Sequence, residues 1–166
     1  MQSMLKVLPA LSALAVLTDV SAGQAAVSCR AFEATILLHA TKEGCTSPVA
    51  LCTKGTVESS DPSLAGATWF FSALETAEAA GLQSRPPSML SYAGSLVVTT
   101  LRDGTLKTSN AGVFDTAAGA FSQLDRVVGG TGRFVEAKGH HFFTTATGGE
   151  NAGFKGHVRG ELCLNP

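Results

Sequence analysis

Between positions 134 and 140 four residues fall at every second place: Phe134, Glu136, Lys138 and His140, in the stretch RFVEAKGH. In extended chain, side chains two apart leave on the same face. An acid, a cation and an imidazole brought together this way could transfer a proton or orient a carbonyl, so Glu136, Lys138 and His140 are the candidate catalytic residues. The same alternation also describes a solvated strand face with Val135, Ala137 and Gly139 turned inward, and the pattern alone favours that second reading.

Aromatic residues supply the candidate binding surface. Trp69, Phe70 and Phe71 are consecutive, Phe142 and Phe143 adjoin the charged stretch, and Tyr92 is the sole tyrosine. Such side chains usually fill a core, but in a hollow fold the core wall and the pocket wall coincide. Trp69, Phe71, Tyr92, Phe134 and Phe142 are therefore the residues expected against a bound guest. His39 and Glu33 belong on the face opposite Ile36 and Leu38, which suits the surface. His157, Arg159 and Glu161 read as a solvated charge ladder.

Other chemistry lacks its motifs. The glycines at 129, 130 and 132 are followed by no Walker lysine and by a strand rather than a helix, so they serve turning rather than phosphate binding. Neither GxSxG nor HExxH occurs. No CxxC or HxxxH pair marks zinc, and neither metal nor cofactor is expected. The formal net charge of −1 argues against a nucleic-acid partner, which requires a basic stripe, and against a polybasic membrane-surface protein.

The N-terminus has the three parts of an export signal. Lys6 supplies the charge, residues 7–17 (VLPALSALAVL) are apolar, and SAGQAA offers small residues at a cleavage site. The apolar run is far shorter than the ~20 residues that span a bilayer. A signal peptide over 1–25 and a single domain over 26–166 follow, placing the product outside the cell or in the secretory lumen without a stable membrane anchor. Cys29, Cys45, Cys52 and Cys163 all lie in that domain. An even number in an exported chain suggests two disulfides, with three pairings open. A local staple between Cys45 and Cys52 leaves Cys29 for Cys163.

The elements that must position these residues are short strands with turn punctuation. Residues 32–39, 53–58 and 67–72 are β-rich, and Ser-Ser-Asp-Pro at 59–62 is a turn. Residues 73–80 suit either continued strand or a short helix, because Ser72 and Glu75 have capping-box spacing and Gly81 sits where a C-cap would. Residues 96–101 and 105–109 flank Asp103-Gly104, a type I′ hairpin signal. Turns at 115–119 and 148–151 separate further strands, with one long bent strand expected over 133–147 and the last over 152–164. Successive hairpins of this kind make an all-β antiparallel meander that closes as a barrel. In such a barrel the first and last strands pair antiparallel, which sets Cys29 beside Cys163.

At residues 127–140 the sequence VVGGTGRFVEAKGH resembles the dirigent proteins and the wider allene oxide cyclase-like barrels, whose pattern there is approximately V-V-G-G-T-G-x-F-x-x-A-R-G-Y. Residues 103–106 (DGTL), 112–114 (GVF) and 36–40 (ILLHA) are similar to further parts of the family. The resemblance implies a closed antiparallel barrel of about eight strands, a dimer or trimer, and an apolar cavity that needs no cofactor. It also implies a hydrophobic small-molecule substrate, held in one conformer for stereoselective cyclisation, isomerisation or coupling, with a separate oxidase upstream where coupling is involved. Departures stand at Ala40, where dirigents have Asp, at Lys138 for Arg, and at His140 for Tyr. A lipocalin-like carrier with the same pocket and no chemistry is the alternative.

Overall fold

The computed structural model describes residues 27–78, 88–149 and 153–165. The expected signal peptide and most of the segment around Pro86-Pro87 lie outside them.

Eight strands follow one another: β1 (Ser28–Ala40), β2 (Cys52–Ser59), β3 (Thr68–Glu78), β4 (Met89–Thr99), β5 (Thr105–Asp115), β6 (Ala120–Gly130), β7 (Lys138–Gly149) and β8 (Gly153–Leu164). Each pairs antiparallel with the next, and β8 pairs back onto β1, closing the barrel. Closure removes every free edge. The period-2 alternation of β1 fixes its orientation, with Phe32, Ala34, Ile36 and Leu38 buried inside the barrel and Glu33, Leu37 and His39 outside.

Both disulfides are present. Cys29 and Cys163 are register partners across the β1–β8 pair, and Cys45 is joined to Cys52 where the β1–β2 loop enters β2. The first closes the chain's ends into the barrel wall. Two disulfides in one small domain fit an oxidising extracellular or lumenal compartment.

The structure decides one alternative that the sequence leaves open and differs from the sequence expectations in two places. Over 73–78 the chain is strand, not helix: β3 bulges between Ala73 and Glu75 and continues to Glu78 against Leu90. The β4 ladder satisfies backbone groups that a helix would have satisfied internally, and residues 79 and 80 lie outside the described part. The Asp103-Gly104 turn is wider than a two-residue hairpin, with residues 100–104 forming the connection. Thr100 N and Oγ1 both donate to the Gly104 carbonyl, and Arg133 N donates to the Asp103 carbonyl, docking this loop on the segment after β6.

The second difference concerns the chemically suggestive stretch. No single strand runs from 133 to 147. A 3-10 turn (Gly132–Phe134) follows β6, Glu136 takes a left-handed conformation with φ 59°, and β7 starts only at Lys138. Phe134, Glu136, Lys138 and His140 therefore do not share a strand face.

The barrel's two ends are unlike. At the end formed by the β2–β3, β4–β5 and β6–β7 connections, Leu64 and Phe134 are buried and plug the interior. There Asp61 accepts from Arg30 Nη2 and Ser63 Oγ, which holds the β2–β3 loop across the opening. Toward the opposite end, at the β1–β2 and β5–β6 connections, the described residues surround a cavity.

Candidate functional site

The cavity has a volume of about 410 Å³, within the range of small-molecule sites. Its wall is aromatic: Trp69 and Phe71 from β3, Phe114 and Phe121 on either side of the β5–β6 turn, Phe143 from β7 and Phe154 from β8. Phe121 and Phe143 pack edge-on with centroids 4.7 Å apart, and Trp69 lies tilted against Phe143 at 5.4 Å. Leu38, Leu51 and residues 116–119 complete the rim. Glycine makes room for this wall, since a Cβ on Gly156 would overlap the Phe143 ring and one on Gly94 would crowd Phe71.

The rim turn is fastened by its own polar groups. Asp115 Oδ1 accepts from the backbone amides of Ala117 and Ala118, and Thr116 N and Oγ1 donate to the Ser88 carbonyl. The Ser88 side chain, followed by the Ala118 amide, holds the Asp115 carboxyl below the usual carboxylate range.

Two polar side chains face the cavity from deeper in the barrel. Tyr92 Oη donates to Gln123 Oε1 at 2.9 Å, and both residues line the cavity. Behind them lies a polar cluster enclosed by the barrel. Gln123 Nε2 donates to Asp125 Oδ2 at 2.8 Å, and Thr108 Oγ1 donates to Asp125 Oδ1 at 2.8 Å. His141 Nε2 stands 3.2 Å from Asp125 Oδ2, but off the line of a hydrogen bond, and neither ring nitrogen has a hydrogen-bond partner. Edge contacts with Phe32 and Trp69 flank the imidazole. Burial first, and the Asp125 carboxylate second, hold the Tyr92 phenol well above its ordinary value. The floor of the cavity is thus a neutral phenol backed by an amide and a buried carboxylate.

The candidate residues divide cleanly by place. Trp69, Phe71 and Tyr92 line the cavity. Phe134 is fully buried at the plugged end and is not among the cavity's lining residues, because the 3-10 turn inserts it beside Gly130. Glu136, Lys138 and His140 are brought together, but on the outside of the barrel. They border a shallow groove with Leu124, Arg126, Val128 and Phe142, whose ring is 54 % exposed. Glu136 Oε2 there accepts from Asn165 Nδ2.

Thr108, Gln123, Asp125 and His141 escaped the sequence reading. A signal exists in β6, where Gln123, Asp125 and Val127 alternate with Ser122, Leu124, Arg126 and Val128. The apolar residues on the second face draw it inward in any pattern-based reading, yet Leu124 and Val128 are exposed and Asp125 is fully enclosed.

No protein-family description matches the chain, and no curated protein matches it.

Proposed function

We propose that this chain is an exported barrel that takes a hydrophobic small molecule into its cavity and holds it in one folded conformer, directing cyclisation, isomerisation or coupling. The observation that carries the reading is the aromatic cavity itself, with a single pair of hydrogen-bonded polar side chains at its floor. The likeness of residues 127–140 to the dirigent and allene oxide cyclase-like barrels adds support, together with the closed eight-strand architecture. The described lining contains no carboxylate, lysine, arginine or histidine. Confinement must then supply the rate enhancement, and restricting a flexible guest to a reactive conformer can contribute about 7–11 kcal/mol. A guest destined for coupling would arrive already oxidised by a separate enzyme. A homodimer or trimer would cover the exposed Leu124, Val128 and Phe142 on the outer face of β6 and β7.

The same uncharged lining favours a second reading, a carrier without chemistry. Guest shape separates the two. Trp69 is the only tryptophan and lines the cavity, so its emission reports occupancy directly. Titration with cyclodecanol and decan-1-ol is expected to show binding of both, with the compact ring bound more tightly. Thr53→Phe, which fills the rim, is expected to weaken both. Equal or tighter binding of the open chain supports the carrier, and absence of binding to the folded protein overturns both readings.

A further inference from the structure

The polar cluster behind the cavity has a fixed hydrogen-bond direction, and that direction reaches the guest. A carboxylate has no proton to give, so Asp125 can only accept. It accepts from Thr108 on one oxygen and from Gln123 Nε2 on the other. The Gln123 amide is thereby oriented, because its NH₂ end must face Asp125 and its carbonyl end must face Tyr92. An amide oxygen also only accepts, so the Tyr92 hydroxyl must spend its single proton on Gln123 Oε1. What remains on Tyr92 Oη toward the cavity is lone-pair capacity. Gly112 leaves room for the ring in this place, since a Cβ there would overlap the phenol's hydroxyl end.

We infer that Tyr92 meets the guest as a hydrogen-bond acceptor, so the cavity selects hydrophobic molecules that carry an alcohol hydroxyl over ethers and ketones of the same shape. The inference rests on the cavity being the guest site proposed above. An acceptor-only guest could be served only if Tyr92 turned its proton away from Gln123, leaving the buried amide oxygen unpaired. Leaving such a group unsatisfied is costly enough to lower affinity about tenfold. Asp125 acts here as a positioning residue: it never reaches the guest, but it sets the polarity of the residue that does.

The test uses three ring compounds of one skeleton, cyclodecanol, its methyl ether and cyclodecanone, titrated into the mature protein with Trp69 emission as readout. The expected result is that all three bind and the alcohol binds about tenfold more tightly than the other two. In Gln123→Leu the Tyr92 hydroxyl has no amide oxygen to donate to and can turn its proton or its lone pairs to the guest, so the three affinities should converge. Asp125→Asn lets the amide at 125 donate, so Gln123 can reverse and Tyr92 can offer its proton inward, and the preference should move toward the ketone. Should Asp125→Asn fail to fold, the wild-type ranking and Gln123→Leu still decide. Equal wild-type affinities, or a preference for the alcohol that survives in Gln123→Leu, overturn the inference and leave the cavity reading standing. Failure of all three to bind overturns the cavity reading itself.

Discussion

His141 Nε2 stands 3.2 Å from Asp125 Oδ2 in the middle of the barrel, with the two side chains 2 % and 0 % exposed. The carboxylate also receives Thr108 and Gln123, so its removal strands two donors at once. Leaving two buried donors unsatisfied costs about 2–6 kcal/mol. Asp125→Ala is expected to lose that much in urea unfolding, whereas Thr108→Val, which removes one donor, should lose about 1–3 kcal/mol. Equal, small losses for both variants would show that the cluster is not a structural unit.

This cluster is also where sequence reading ran out. In β1 the alternation of Phe32, Ala34, Ile36 and Leu38 marks the inward face, because apolar side chains lie inside and polar ones outside. The closing of Cys29 on Cys163 is legible for a related reason: antiparallel closure puts the start of the first strand beside the end of the last. In β6 the rule reverses. Leu124 and Val128 are outside, while Gln123 and Asp125 are inside and satisfied by residues from β4 and β5. That satisfaction is long-range, and no local pattern encodes it. The stretch from 133 to 140 misled differently. Its alternation is genuine, but the left-handed backbone at Glu136 breaks the strand on which the alternation would have meaning.

The two disulfides should differ in what they contribute. In the chain-entropy account a loop of 134 residues gives about 5 kcal/mol and one of 7 about 2–3 kcal/mol. Replacing Cys29 and Cys163 by serine is therefore expected to destabilise the barrel roughly twice as much as replacing Cys45 and Cys52 by alanine. Denaturant unfolding of the two double variants measures this, and the reverse order would contradict the assignment of the β1–β8 pair as the principal staple.

Gly156→Ala tests the cavity wall. The added methyl would overlap the Phe143 ring, which is itself pinned between Trp69 and Phe121. Overpacking of this kind costs about 1–3 kcal/mol, and the ring must move into the cavity or displace its neighbours. The variant should show a lowered Tm together with a changed Trp69 emission. A lowered Tm with wild-type emission would mean that the strain is relieved elsewhere in the sheet.

Tyr92 gives the fold a dependence on alkaline pH that can be followed at one group, because it is the only tyrosine in the chain. Its phenol is raised by burial and by Asp125, so the folded state holds the proton more tightly than the unfolded state does. The sign follows from that difference. Below the unfolded value of about 10 both states are protonated, and the contribution is complete. As pH rises past it the unfolded chain loses its proton and the folded one does not, so stability falls until the folded phenol ionises. Phenolate absorbance at 295 nm should therefore stay flat near pH 10 in the native protein and rise only as the protein unfolds. In strong urea the same absorbance should titrate near its ordinary position. Tyr92→Phe is expected to lose stability less steeply than the wild type over the same alkaline range. A native-state rise centred near 10 would mean that the phenol is open to solvent and the cavity floor is not closed behind it.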